Sequence, residues 1–99
     1  MKIYAHRGYS QKFPEATKTA YLEAVKAGAD GFECDVRLTS DKKIVCFHDG
    51  TLKRIANKPN VIAKSSLSEL KNLIDILTLE ELLQIAIESK KDLLIETKH

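Results

Sequence analysis

Residues 31–36 read GFECDV, so Phe32, Cys34 and Val36 alternate with Glu33 and Asp35. Side chains of an extended chain point alternately to its two faces, so this segment has one apolar face and one face bearing two carboxylates. The apolar face calls for cover by helices. The acidic face is costly inside a protein unless its charges are paired, liganded or placed near a strand's carboxyl end. Like charges at that spacing repel, and a divalent cation, which takes hard oxygen ligands, converts the conflict into a binding site. Solvated acids on an exposed edge strand explain the pair equally well at this point.

The flanking sequence sets that segment in an alternating pattern. Residues 3–6 form a short apolar run ending at Arg7-Gly8, and GYSQKFP (8–14) reads as a loop from its glycine, serine and proline. Over 15–27 the apolar positions Ala16, Ala20, Tyr21, Ala24, Val25 and Ala27 recur at helical spacing, with Pro14 at the entry and Gly28 just past the end. A second strand is expected over 29–38. The polar link TSDK (39–42), too short for a helix, leads to a third strand over 43–48. Strand, helix, strand implies a right-handed parallel unit; whether the second and third strands pair as a hairpin or run parallel is open.

Residues 49–64 are loop-like, with NKPN at their centre, and SLSE (66–69) opens a short helical turn. The main later helix is expected after Thr78, with Glu80 and Glu81 in the first turn, where negative charge suits the helix dipole. It runs to about Ser89 behind a stripe of Leu79, Leu82, Leu83, Ala86 and Ile87, and KKD (90–92) turns the chain into a last strand over 93–98. There is no internal repeat, low-complexity tract or linker.

With 99 residues, 43% hydrophobic and 30% charged, the sequence suits one ordinary globular domain over 1–99. A net charge of +2 without clustered Lys/Arg and interleaved aromatics argues against nucleic acid as a partner. No run approaches the ~20 apolar residues of a membrane span, and the start MKIYAHRG has no signal region, so a cytoplasmic home is expected. Cys34 and Cys46 sit in apolar strand contexts, where buried free thiols are expected in preference to a disulfide.

Strands alternating with helices imply a parallel sheet covered by helices, either open and doubly wound or closed into a barrel. Such folds gather ligands at the carboxyl ends of their strands. His6, Arg7, Glu33, Asp35, His48, Glu96 and Lys98 all lie near such ends and could converge. Taken singly, each has a bland account: a strand-end histidine is more often a hydrogen-bonded or surface group, and Arg7, Asp49 and Lys98 could be ordinary surface charges. Taken together, two histidines for acid–base work, three carboxylates for a cation, and Arg and Lys for an anion match the needs of phosphodiester cleavage.

HRG (6–8), PEATKTA (14–20), GADGFECDVRLTSD (28–41), HD (48–49), TLEELL from Thr78 and IETK from Ile95 follow one another in an order that resembles the glycerophosphodiester phosphodiesterase family. The resemblance covers nearly the whole chain. It implies an α/β fold, the N-terminal part of a (β/α)8 TIM-type barrel related to phosphatidylinositol-specific phospholipases, and metal-dependent hydrolysis of glycerophosphodiesters to glycerol 3-phosphate and an alcohol. Carried over by motif, it implies His6 and His48 as the acid–base pair, Glu33, Asp35 and Glu96 as ligands of Mg²⁺ or Ca²⁺, Arg7 on the phosphate and Lys98 supporting the charged substrate.

Two departures stand out. The family usually reads PENT where this chain has Pro14-Glu15-Ala16-Thr17, so an asparagine amide is missing at Ala16. A whole barrel takes ~250 residues, so this chain is an incomplete one. If the chain is complete as given, its open strand edge and wet apolar faces imply a homo-oligomer. Against the hydrolase stand two alternatives: a catalytically inactive partial barrel that self-associates, and a phospholipase-type lyase without a retained metal.

Overall fold

In the computed structural model, which describes residues 4–6 and 15–97, the chain runs through β1 (Tyr4–His6), α1 (Lys18–Lys26), β2 (Gly31–Leu38), β3 (Ile44–Cys46), α2 (Lys53–Ala56), a 3₁₀ turn (Ile62–Lys64), α3 (Leu67–Leu73), β4 (Leu77–Thr78), α4 (Leu79–Ser89) and β5 (Asp92–Thr97). β2 organises the sheet. It pairs in parallel with β1 and with β5, and its far end pairs antiparallel with β3, which pairs antiparallel with β4. The second and third strands are thus a hairpin, closed by a turn in which Thr39 N–H donates to the Lys43 carbonyl at 2.9 Å and Lys42 takes a left-handed conformation. The sheet is therefore mixed, with a parallel part formed by β1, β2 and β5.

The helices start where polar caps permit. Thr78 accepts a hydrogen bond from Glu81 N–H while the Glu81 carboxylate accepts from Thr78 N–H, and Ser66 and Glu69 form the same reciprocal box. α1 begins three residues later than its periodicity suggests. Ala16 has φ +58°, outside the helical region, and Thr17 is the residue whose side chain caps the first turn by accepting from Ala20 N–H. Gly28, at φ +86°, ends the helix as expected.

The apolar face of β2 is buried as its alternation requires. Phe32, Cys34 and Val36 pack with Tyr21 and Ala24 of α1 and with Leu82, Ile85 and Ala86 of α4. Tyr21 meets Phe32 edge to face, centroids 5.3 Å apart, and its hydroxyl donates to the Glu33 carbonyl at 3.1 Å. Cys34 and Cys46 are both free and buried here, and the neighbouring Cys34 thiol together with burial pushes the Cys46 thiol up. Full burial of a side chain such as Phe32 or Leu82 stabilises by roughly 1.5–3 kcal/mol.

Residues 49–64, read from sequence as a loop, carry α2 and the 3₁₀ turn because Leu52 and Ile62 are fully buried beneath a second core. That core joins them to Val45, Phe47, Leu70 and Ile76. Burial of Leu52 and Ile62 thus fixes a segment whose Gly50, Asn57, Pro59 and Asn60 favour a loop.

At Gly31 three strands meet. A Cβ there would lie 2.7 Å from the Asp92 carbonyl oxygen and 2.7 Å from the Tyr4 ring, so any larger residue would force β1, β2 and β5 apart. β5 is mostly exposed, Leu94 and Ile95 included, and among the described residues its second edge has no partner strand.

Candidate active site

The residues 33, 35 and 37 share one face of β2 by strand alternation, so Glu33, Asp35 and Arg37 form a polar file opposite the apolar one. Asp35 is buried and Glu33 half-buried. Asp35 stands beside Glu96 in the β2–β5 register, and Glu33, Asp35 and Glu96 each present an oxygen within 4.8 Å of the others. Three carboxylates converging this closely supply hard oxygen donors, the donor set that Mg²⁺ and Ca²⁺ take, so the residues fit a divalent cation.

Strand pairing explains why histidines flank this group. Gly31 to Glu33 pair with β1, and Val36 to Leu38 pair with β3; β5 occupies the opposite edge along Gly31 to Val36. β1 and β3 therefore approach end to end along one edge of β2, with their last residues opposite Glu33 and Val36. The last residue of β1, His6, is in register with Glu33. One step beyond β3, Phe47 N–H donates to the Asp35 carbonyl at 3.0 Å, and the next residue is His48.

His48 is held at two points. Arg37 donates Nε–H and Nη2–H to its carbonyl oxygen at 2.9 and 2.7 Å. Its Nδ1 lies 2.8 Å from Asp49 Oδ1. Asp49 is in turn gripped by Arg54 through Nε to Oδ2 at 2.9 Å and Nη2 to Oδ1 at 3.0 Å, and Arg54 Nη1 donates to Glu15 at 2.7 Å. The Arg54 hydrogen bonds, with that of His48, hold the Asp49 carboxyl down to about 2. An ionised carboxylate only accepts, so the proton of the His48–Asp49 bond is on Nδ1, and Nε2 is the ring nitrogen left for other chemistry.

Of the candidates from sequence, the structure brings together Glu33, Asp35 and Glu96 and places His48 at the adjoining strand end. The backbone of His6 is placed at the end of β1, and its side chain, like Arg7 and Lys98, lies outside the described residues. Sequence reading missed Arg37, Arg54 and Glu15 and gave Asp49 as an ordinary surface charge. The alternation of 33, 35 and 37 could have flagged Arg37; nothing in the sequence links Arg54 to Glu15. Surface hollows of about 440–490 Å³ bounded by described residues, such as one at Lys71, Leu73 and Ile76, contain none of these residues.

The carboxylates of β2 and β5, beside a histidine braced on a carboxylate, thus form a polar group on an α/β scaffold whose oxygens suit a divalent cation. The glycerophosphoryl diester phosphodiesterase family matches residues 6–99, and the chain belongs to this family. A probable glycerophosphodiester phosphodiesterase 1 of Mycobacterium tuberculosis is 35% identical over 116 aligned residues, covering 98% of this chain and 42% of that protein. The crystal structure of a glycerophosphodiester phosphodiesterase from Thermotoga maritima superposes with a TM-score of 0.93 at 41% identity, over all of this chain and 45% of its own. An Oleispira antarctica phosphodiesterase, solved with the product sn-glycerol-3-phosphate, gives 0.92 at 32% identity over 99% of this chain and 44% of its own. The chain thus spans less than half the length of these relatives.

Proposed function

We propose that this chain carries the metal and acid–base half of an enzyme that hydrolyses glycerophosphodiesters to glycerol 3-phosphate and an alcohol. The observation that carries the reading is the meeting of Glu33, Asp35 and Glu96 within 4.8 Å, beside the end of β1 at His6 and the segment after β3 that carries His48. Family membership supports the reaction class, and the product named for the Oleispira antarctica enzyme supports the glycerol 3-phosphate half.

In this reading Glu33, Asp35 and Glu96 hold Mg²⁺ or Ca²⁺, which when bound supplies positive charge to the phosphate oxygens. His48, with Nδ1–H engaged by Asp49, offers Nε2 to a reacting oxygen. His6 is its partner: one imidazole takes a proton from the attacking glycerol 2-hydroxyl or water while the other gives a proton to the leaving alkoxide. Arg7 binds the phosphate, and Lys98 adds positive charge beside the substrate.

The same reading makes β1, β2 and β5 the first parallel strands of a (β/α)8 barrel, with the β3–β4 ribbon an addition to it. The exposed Leu94 and Ile95, on opposite faces of β5, are then covered by the interior and the outer layer of the rest of the barrel. If the chain acts alone, those same residues favour self-association into a homo-oligomer, and a scaffold without turnover becomes the second reading. The left-handed Ala16, where the family reads asparagine, favours that second reading. A cytoplasmic setting goes with the hydrolase; no helix among the described residues is long and apolar enough to cross a membrane.

The test is hydrolysis of glycerophosphocholine by the full-length protein with and without Mg²⁺ or Ca²⁺. Metal-dependent release of glycerol 3-phosphate, lost in His48→Ala and Glu33→Ala, is the expected result. No release from folded, metal-binding protein contradicts it.

A further inference from the structure

Arg54 touches none of the residues that converge on the carboxylates, yet its guanidinium is engaged on three nitrogens. Nε and Nη2 grip both oxygens of Asp49, and Nη1 reaches Glu15, thirty-nine positions away in sequence. Most surface ion pairs are loose, but a fork bound to both oxygens of a carboxylate fixes the plane of that carboxylate. α2, which carries Arg54, is itself fixed: it follows directly on the fully buried Leu52, whose carbonyl accepts from Ala56 N–H at 2.8 Å. Asp49 Oδ1 receives both Arg54 Nη2 and His48 Nδ1, so the orientation of the imidazole follows from that of the guanidinium.

An anion receptor is the obvious other role for an exposed arginine. Here Nε, Nη1 and Nη2 of the one guanidinium are all engaged by the carboxylates of Asp49 and Glu15, which leaves no free fork for a phosphate. The arrangement suits holding and not receiving.

We propose that Arg54 is a positioning residue for His48: acting through Asp49 and braced by Glu15, it keeps Nδ1 as the protonated nitrogen and aims Nε2 at the reacting centre. Its importance for turnover rests on the hydrolase reading above, whereas its hold on the imidazole does not. Glu15 also precedes Ala16 and the helix cap Thr17, so the brace ties the hairpin side of the site to the start of α1.

The experiment records the ¹⁵N ring signals of His48 by NMR and, in the same preparations, kcat and KM for glycerophosphocholine. Wild type is expected to show Nδ1 protonated. Arg54→Ala and Asp49→Asn are expected to move those signals, whereas Lys71→Ala, which removes the comparable Lys71–Glu81 contact at 2.9 Å, leaves them in place. Loss of alignment costs on the order of a hundredfold in kcat, with KM little changed, and Arg54→Lys, which keeps the charge without the fork, recovers only part of it. Unchanged His48 signals in folded Arg54→Ala or Arg54→Lys overturn the proposal, as does wild-type kcat in both variants. If wild type itself shows no hydrolysis, the hydrolase reading fails and the ring signals alone decide the role of Arg54.

Discussion

The guanidinium of Arg37 donates two hydrogen bonds, at 2.9 and 2.7 Å, to the carbonyl oxygen of His48. Arg37 stands two residues beyond Asp35 on the same face of β2, so one strand both presents carboxylates and fixes the backbone of the histidine beside them. Arg37→Met keeps the apolar stem and loses both bonds. We expect a loss of about 1.5 kcal/mol in urea unfolding, since charge-assisted bonds to a half-buried group lie in that range. Unaltered stability would mean that the loop at His48 is held by its other contacts.

Acid should loosen the His48 region before it unfolds the core. The Asp49 carboxyl is lowered from 3.8 to about 2 by the hydrogen bonds of Arg54 and His48. A group whose folded value is depressed contributes stability that is present above its unfolded value and lost as pH falls through its folded value, here from about 4 down to about 2. With solvent screening the contribution is on the order of 1 kcal/mol. Stability measured over that window should fall less steeply in Asp49→Asn than in wild type. Equal slopes would contradict the assignment.

Backbone strain offers a third check. Ala16 and Lys90 hold φ of +58° and +57°, a region costing a non-glycine residue about 1 kcal/mol. Lys90 ends α4 in the position where glycine is favoured. Lys90→Gly should therefore raise the melting temperature. Ala16→Gly should gain less, because Ala16 is buried and its methyl packs. Destabilisation by Lys90→Gly would show that its side chain matters more than its backbone.

The elements were largely legible because their signals are local: the alternation of β2, the apolar stripe of α4 and the polar caps at Thr78 and Ser66 each lie within a few residues. What failed was non-local. Leu52 and Ile62 acquire helical and 3₁₀ neighbours only because they close a core with Val45 and Phe47, and α1 starts late because Ala16 is held left-handed. The carboxylate triad was legible as a face of one strand, with Glu96 joining it through the β2–β5 register. The brace from Glu15 through Arg54 to Asp49 was not, because it joins segments far apart in sequence whose residues look like ordinary surface charge.

If Glu33, Asp35 and Glu96 form one divalent-cation site, calorimetric titration of Mg²⁺ and Ca²⁺ into the protein will register it. One ion should bind per chain, thermal stability should rise by about 2.7 kcal/mol at a hundredfold excess over the dissociation constant, and Asp35→Asn and Glu96→Gln should each abolish both effects while remaining folded. Binding that survives both substitutions, or none in wild type, would mean that these three carboxylates do not hold a cation.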